Sequence, residues 1–305
     1  MPKKNSPGLS IFQKILFGIL TGLSIFPVFN HLRNSVIVNY LRKRYFHLLS
    51  QEEDKNVIGN DYKTFVFWWD GINETTPVII KTTINSIKRN GKNVILITKN
   101  NYLSYVDIPD SIISKFKNGI IDLTHFSDIL RCALLYKYGG LWIDATVYLN
   151  QPFDDITKYH FYSPKQKSTF ANRVLVHRGK WFIYFMAASK NSVIMRNCLN
   201  LHYSYWEEHD HLICYFLLDY TIEIQYRYLQ NIKSIIDKIP LNNKYVHKFC
   251  VVPFDLKFNH KYDDKKFKKY SADTKAFKLT YKYNHKYDSL NNTYLQHFID
   301  NEKST

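Results

Sequence analysis

The sequence has few cysteines and few acidic residues. Its four cysteines show no CxxC spacing, which argues against zinc ribbons and thioredoxin-like motifs. We expect them to be free thiols in a reduced cytosol: Cys132, Cys198, Cys214 and Cys250. The 26 acidic residues stand against 42 lysines and arginines in 305 residues, so the formal charge is +16. This surplus predicts an anionic partner, namely nucleic acid, an anionic membrane or a phosphorylated substrate. Because 45% of the residues are hydrophobic, a disordered chain and a disulfide-stapled mini-protein are excluded.

The positive charge lies mainly in two terminal segments. Residues 1–51 contain seven basic residues and no acidic residue, and residues 255–288 contain ten lysines against five aspartates. The middle of the chain is much closer to balance. The basic terminal segments and the central part of the chain can therefore serve different functions.

The N-terminal segment lacks a full membrane-spanning run. Its strongly apolar stretch, from Ile15 to Phe29, is shorter than the ~20 residues that cross a bilayer core, and Pro27 interrupts it. No A-x-A-like cleavage site follows. The basic residues that come next, among apolar and aromatic ones, are Arg33, Arg42, Lys43 and Arg44. This mixture is typical of a helix that lies in the membrane interface, so we predict a membrane-associating segment over residues 1–50. A single membrane span and an ordinary packed helix are the alternatives.

The central part of the chain alternates between strand and helix patterns. Residues 64–69 and 93–98 have the length and composition of buried strands, and an amphipathic helix between them begins at Pro77 and ends at Gly91. A short helix follows, and a third strand is predicted at residues 120–123. This order predicts an α/β fold with a mainly parallel sheet.

Residues 125–149 form the most informative stretch. A helical apolar repeat ends at Gly139–Gly140, where we expect a left-handed C-cap, and the next strand ends at Asp144. Sheets of this class bind ligands at the carboxyl ends of their strands, so Asp144 marks the expected site. Asp128 and Arg131 share a helix face away from the apolar stripe. They form either a surface ion pair or, with Asp144, a site suited to a diol, a pyrophosphate and a metal.

The segment FSDILRCALLYKYGGLWIDATVYL resembles the core of the capsular polysaccharide synthesis glycosyltransferases. These belong with the sugar-nucleotide transferases that carry a DxD motif, alongside the yeast initiating mannosyltransferases and the large clostridial glucosylating toxins. FVFWWDG upstream and YWEEHDHLICYFLLDY downstream also fit the family pattern, so the resemblance covers about residues 60–225.

The resemblance implies a GT-A-like, Rossmann-type fold. We expect the glycosyltransferase domain at residues 51–305. Within it lie a nucleotide-sugar-binding core at 60–155, an acceptor-side helical part at 156–250 and a basic aromatic tail at 251–305.

The resemblance also implies which residues form the site. Asp128 and Arg131 match the S-D-x-x-R positions, where the acid contacts ribose or sugar hydroxyls and the arginine contacts the sugar or phosphate region. Asp144 matches the first aspartate of DxD, and these three are the expected catalytic residues. The aromatics at the end of the first strand are expected to frame the base. The expected nucleotide-sugar site comprises Phe67, Trp68, Trp69, Ser127, Asp128, Arg131, Asp144, Ala145 and Thr146.

One departure from the family pattern concerns the metal. The motif is Asp144–Ala145–Thr146, so a threonine replaces the second acid, and a hydroxyl is a poorer ligand for a hard cation than a carboxylate. We expect a divalent cation, Mn²⁺ or Mg²⁺, at Asp144 and Thr146. A downstream acid is needed to supply the missing charge, although each candidate also fits a solvated helix face: Glu207, Glu208, Asp210 and Asp219.

The sequence therefore predicts a glycosyltransferase. It would move a sugar from a nucleotide-sugar, expected to be a UDP-sugar, to a capsular or other surface polysaccharide or its lipid-linked precursor. The resemblance implies retention of anomeric configuration and a cytoplasmic location at the inner face of a bacterial plasma membrane. One alternative is a basic nucleic-acid-binding protein, but no RRM, KH, helix-turn-helix or OB signature is present, so we expect no nucleic acid partner. The other is a catalytically silent family member that acts as a partner or scaffold.

Overall fold

The protein is an α/β structure built on a five-stranded sheet. A computed structural model describes residues 27–168, 175–249, 260–282 and 292–303. The strands of the central sheet are β1 (Thr64–Phe67), β2 (Val94–Ile97), β3 (Gly140–Asp144), β5 (Phe161–Tyr162) and β6 (Phe185–Ala188). Their order is β2-β1-β3-β6-β5. The first three run parallel, and β6 runs antiparallel to both β3 and β5.

A second, two-stranded sheet joins distant parts of the chain. Strand β4 (Val147–Leu149) follows directly after β3 and pairs antiparallel with β7 (Ala276–Lys278). The described part of the predicted basic tail therefore belongs to the packed domain and reaches the end of β3.

Helices cover the central sheet and the β4–β7 pair. Their ranges are α1 (Pro27–Tyr45), α2 (Val78–Asn90), α3 (Tyr102–Tyr105), α4 (Asp110–Lys117), α5 (Leu123–Tyr138), α6 (Val193–Glu208), α7 (Leu217–Tyr228), α8 (Gln230–Asp237), α9 (Asp264–Ala272) and α10 (Tyr294–Lys303). Short 3-10 turns occupy Phe46–Leu48 and Asp154–Lys158. Helix α5 packs against α6, and α6 packs against α7. Helix α2 begins after Pro77 and ends at Gly91, as predicted, and packs against β4 and α10.

The turn between α5 and β3 is held by two glycines. Gly139 has φ of +68° and Gly140 has φ of +102°, a backbone region that favours glycine. A Cβ atom at Gly140 would lie 2.3 Å from the carbonyl oxygen of Lys63, and one at Gly139 would lie 2.6 Å from the amide nitrogen of Lys190. These close approaches fix how α5 leads into β3. The predicted helix stop at Gly139 is confirmed, but the cap is not left-handed helical, because its φ of +68° is combined with an extended ψ of −169°.

Helix α1 packs inside the domain, against α7. Its inward side chains are fully buried: Ile37, Val38, Leu41 and Tyr45. Two of the basic residues that the sequence assigns to lipid make contacts within the protein, because Arg44 forms an ion pair with Glu208 and the Arg42 guanidinium lies 4.9 Å above the ring of Tyr228. Within the described ranges, no helix combines the length and the apolar character needed to cross a bilayer. Residues 15–26 of the apolar stretch lie outside the described residues.

The prediction of a third strand at residues 120–123 is wrong. The amides of Ile120 and Ile121 both donate to the carbonyl of Lys115 and close the end of α4, and Leu123 already begins α5. The third parallel strand is β3. The sheet is also mixed, because β6 runs antiparallel to its neighbours β3 and β5. The α/β class is confirmed. Cys132, Cys198 and Cys214 are free thiols, and Cys250 lies outside the described residues.

Candidate functional site

A cavity of about 870 Å³ opens at the carboxyl edge of the parallel strands. Phe67 at the end of β1 lies opposite Asp144 at the end of β3, so the two strands present these side chains side by side. The cavity brings together every residue that the sequence assigns to the nucleotide-sugar site: Phe67, Trp68, Trp69, Ser127, Asp128, Arg131, Asp144, Ala145 and Thr146.

Helix α5 brings its polar residues to this cavity from a capped start. The Asp122 carboxylate accepts a hydrogen bond from the amide of His125 at 2.9 Å and so satisfies a free N–H group of the first turn. The same oxygen lies 2.7 Å from Nδ1 of the His125 ring. The first turn is therefore fixed, and two turns later the helix reaches Asp128 and Arg131.

Asp128 and Arg131 form a buried ion pair. Their side chains are only 5% and 4% exposed, and Nη1 of Arg131 donates to Oδ1 of Asp128. Nη2 of Arg131 lies 3.3 Å from Oδ1 of Asp144, and the guanidinium lies 4.8 Å above the ring of Trp142. The alternative of a surface ion pair, and the placement on a face away from the core, are wrong, because both side chains are buried and α6 packs along α5. One arginine thus joins the carboxylates of a helix and a strand.

The charges around Asp144 set its protonation state. Burial on its own would raise the pKa of this carboxyl, but the Lys278 and Arg131 cations and a hydrogen bond from Trp142 Nε1 at 3.0 Å outweigh it and hold the pKa below the ordinary value. Burial raises the pKa of Asp128, and the adjacent Arg131 guanidinium opposes this rise. Asp144 is therefore an anion at neutral pH and an acceptor for ligand hydroxyls.

The aromatic residues after β1 take different positions. Phe67 stacks on Trp142 with ring centroids 5.7 Å apart, and Trp68 meets Tyr281 edge to face at 5.5 Å. Trp69 packs against Phe116 at 5.3 Å and so also supports the core. All three of the predicted aromatics remain partly exposed at the cavity.

Only one of the four downstream acids lies in the cavity. Asp219 on α7 lines it, is 2% exposed and accepts a hydrogen bond from Nε1 of Trp181 at 2.9 Å. Burial raises the pKa of Asp219 to about 7. Glu208 pairs with Arg44, Asp210 pairs with Lys115, and Glu207 is exposed.

Sequence analysis missed Lys278. This residue ends β7, and its Nζ lies 2.9 Å from Oδ2 of Asp144 and 2.6 Å from Oγ1 of Thr146. The sequence offers no local signal for it, since it is one of ten lysines between residues 255 and 288. The antiparallel pairing of β7 with β4 is what brings it to the motif.

The residues around the D-A-T motif do not fit the expected divalent cation. Asp144 and Thr146 supply only one carboxylate and one hydroxyl, so a hard cation bound there would need substrate phosphates and water to complete its coordination. The ammonium of Lys278 lies within hydrogen-bond distance of both groups. In the part of the chain that the structure describes, no group of three or more His, Cys, Asp or Glu side chains could hold a metal ion. The two predicted metal ligands, Asp144 and Thr146, therefore accept hydrogen bonds from an ammonium.

A group of aromatic residues forms one wall of the cavity, beside the D-A-T motif. It consists of His177, Phe182, Tyr184 and His247. Tyr184 Oη and His247 Nε2 are 2.9 Å apart, and the ring of Phe182 lies 4.7 Å from that of His247. Burial lowers the pKa of His177 to about 3 and that of His247 to about 4, so both rings are neutral at pH 7.

The chain is similar to known proteins in family, in sequence and in structure. The family model for capsular polysaccharide synthesis proteins matches residues 27–298. A curated relative, the O-glycosyltransferase braB of Annulohypoxylon truncatum, is 24% identical over 168 residues, which cover 51% of this chain and 40% of the relative. The chain thus spans less than half of that relative's length. Among solved structures, the PaToxG glycosyltransferase matches with a TM-score of 0.41 and 16% identity, over 74% of this chain and 82% of that one. Since the family match runs from α1 to α10 and includes the whole described cavity, the chain belongs to the capsular polysaccharide synthesis protein family.

Proposed function

We propose that this chain is a glycosyltransferase that moves a sugar from a nucleotide-sugar donor to a growing capsular or other cell-surface polysaccharide, or to its lipid-linked precursor. The donor we expect is a UDP-sugar, and the GT-A-like fold and retention of configuration are part of the proposal. The observation that carries it is the arrangement of Arg131 between the carboxylates of Asp128 and Asp144, at the end of the parallel strands.

This arrangement suits the charges of the reaction. Breaking the bond between a sugar and a nucleoside diphosphate gives an oxocarbenium-like transition state and an anionic leaving group. Cationic donors that are already in place lower the energy of that charge most effectively when they are shielded from water. Arg131 is such a donor, and Asp128 and Asp144 are acceptors for the hydroxyls of the sugar and the ribose.

The aromatic surfaces suit the remaining parts of the substrates. Phe67 and Trp68 lie beside the end of β3, where the base of the donor is expected. The aromatic wall of His177, Phe182, Tyr184 and His247 is neutral and offers ring faces and hydroxyl or imidazole groups to an acceptor sugar. This wall is the candidate acceptor side.

The charge of the cavity favours a small ligand over nucleic acid. Among its described lining residues, the acids are Asp70, Asp128, Asp144 and Asp219, and the cations are Arg131 and Lys278. Two cations within one cavity fit a small anionic group such as a diphosphate, whereas nucleic-acid binding needs several cations along a backbone. The +16 of the whole chain lies mainly in its terminal segments.

The test is turnover of a nucleotide-sugar panel by wild type and variants. Hydrolysis or transfer should be seen with at least one UDP-sugar, and Asp144→Asn and Arg131→Ala should each lower kcat/KM by about 100- to 1,000-fold, because each removes a charged contact to the donor. Thermal unfolding of each variant separates loss of folding from loss of chemistry. Asp107→Asn, an exposed acid far from the cavity, is the control. Activity within twofold of wild type in both site variants would contradict the assignment.

We also propose that the protein works as a peripheral or monotopic protein at the cytoplasmic face of the plasma membrane. The support is the composition of residues 1–26, which carry Lys3, Lys4 and Lys14 before and within an apolar stretch. Flotation with anionic and with neutral vesicles tests this. Full-length protein should bind the anionic vesicles more strongly, and replacing the three lysines by glutamine should weaken that binding. Equal binding to both vesicle types would contradict the proposal.

A further inference from the structure

The ammonium of Lys278 occupies the position between the two polar side chains of the D-A-T motif. Its Nζ lies 2.9 Å from Oδ2 of Asp144 and 2.6 Å from Oγ1 of Thr146. The Lys278 side chain is 18% exposed and lines the cavity. An ammonium has three N–H donors. Two of them are used by the motif, and the third is available to a ligand in the cavity.

The backbone holds this lysine at the motif. In the β4–β7 ladder, Lys278 lies opposite Val147. The amide of Leu279 donates to the carbonyl of Thr146 at 2.8 Å, and the amide of Lys278 donates to the carbonyl of Val246 at 2.7 Å. The ammonium also lies 4.8 Å above the ring of Tyr184. Backbone on both sides and an aromatic face below therefore direct the charge into the cavity.

We propose that Lys278 is the built-in cation of this glycosyltransferase, and that it takes the place of a divalent metal ion in binding the diphosphate of the donor. This inference rests on the proposed function. In the step concerned, the bond between the anomeric carbon and the diphosphate oxygen breaks and its electron pair stays on the diphosphate. The acceptor oxygen forms the new bond to the anomeric carbon, and its proton passes to water. Lys278 and Arg131 donate hydrogen bonds to the charge that develops on the diphosphate.

The chemistry of the motif explains why an ammonium fits better than a metal ion here. With threonine at the third position, the motif carries one negative charge, which a single ammonium neutralises. The threonine hydroxyl can accept a hydrogen bond from an ammonium, whereas it is a poorer ligand for a hard cation than a carboxylate is. A divalent ion placed beside the ammonium would be repelled by it. The threonine at position 146 and the ammonium of Lys278 therefore complement each other, in place of a second acid and a metal ion.

Two binding measurements test the proposal without knowledge of the donor. Isothermal titration calorimetry with inorganic pyrophosphate, in the presence of EDTA, measures diphosphate binding to the full-length protein. We expect wild type to bind, Lys278→Met to bind about 10- to 100-fold more weakly because a charged hydrogen bond is lost, and Lys278→Arg to recover part of the affinity. Lys275→Met is the matched control, since Lys275 precedes the same strand but pairs with Asp155 outside the cavity.

Electron paramagnetic resonance with Mn²⁺ alone measures metal binding. We expect wild type to bind Mn²⁺ no more tightly than Asp144→Asn does.

Several results would overturn the proposal. In the pyrophosphate titration, wild type would bind only when Mn²⁺ is added, or would not bind under either condition, or would bind with the same affinity as Lys278→Met. In the Mn²⁺ measurement, wild type would bind the ion and Asp144→Asn would abolish this binding. The nucleotide-sugar panel separates this outcome from failure of the proposed function. Metal-dependent turnover would remove the role of Lys278 and leave glycosyl transfer standing. Lys278-dependent pyrophosphate binding without turnover of any nucleotide-sugar would support the role of Lys278 and contradict glycosyl transfer.

Discussion

Replacing Asp219 by asparagine should flatten the pH dependence of protein stability. The Asp219 carboxyl is buried on α7, and its burial raises its pKa from the ordinary 3.8 to about 7. The folded protein therefore holds a proton that the unfolded chain releases near pH 4. Asparagine keeps an oxygen that can accept the hydrogen bond from Trp181 and has no charge to lose.

The size and sign of the effect follow from this difference in pKa. About three pH units correspond to about 4 kcal/mol in the free energy of unfolding. Because the folded-state pKa is the higher one, this stability is fully present below about pH 4, decreases as the pH rises, and is lost above about pH 7. Between pH 5 and pH 8 the wild-type protein should lose about 2 to 3 kcal/mol through this group.

Urea unfolding at pH 5 and at pH 8 measures the effect. The difference in the free energy of unfolding between the two pH values should be about 2 to 3 kcal/mol smaller in Asp219→Asn than in wild type. Asp107→Asn, whose carboxyl is 97% exposed, should behave as wild type does. If Asp219→Asn and wild type lose the same amount of stability, the carboxyl is ionised in the folded protein and the reasoning fails.

Two further substitutions test the elements that position the site. Gly140→Ala should lower the free energy of unfolding by about 2 to 6 kcal/mol in urea titrations, because its Cβ would lie 2.3 Å from the Lys63 carbonyl oxygen at a φ of +102°. Gly119→Ala, at a φ of +72° with no neighbour within 4 Å, should cost only about 1 kcal/mol, and equal losses in the two variants would refute the steric argument. Asp122→Ala removes the cap of α5 and should cost about 1 kcal/mol, whereas Asp122→Asn should lose less; a melting temperature unchanged by Asp122→Ala would show that the cap does not contribute.

The sequence predicts the centre of the site well because its signals are local. The helix pattern before Gly139 and the strand pattern after it place Asp144 at the end of β3, and the parallel register with β1 brings Phe67 beside it. The first consequence follows from the period of the apolar residues and from the glycine stop. The second depends on a pairing between distant parts of the chain, which the α/β pattern implies but whose register it does not give.

The burial of Asp128 and Arg131 could not be read in the same way. Helical spacing shows that the two residues share a face, but it does not show that this face is buried when α6 packs along α5. A charged pair in a sequence is more often exposed than buried. Helix α6 lies far downstream in the chain, so only the tertiary structure reveals that the pair is enclosed.

The false strand at residues 120–123 has a different cause. Ile120 and Ile121 are β-branched and come after a glycine, as the first residues of a strand often do. The structure uses them to end α4, and Asp122 then starts the next helix. The capping signal of Asp122 competes with the short apolar run, and the longer helix prevails.

The position of Lys278 also has a consequence for synthesis of the protein. The residues of β1, β2 and β3, together with Asp128, Arg131 and Asp144, all lie in the first half of the chain. The ammonium arrives only when translation has passed residue 278 and β7 has paired with β4. The contacts of Asp144 and Thr146 with Lys278 can therefore form only late in synthesis, and a chain that ends before residue 278 lacks them.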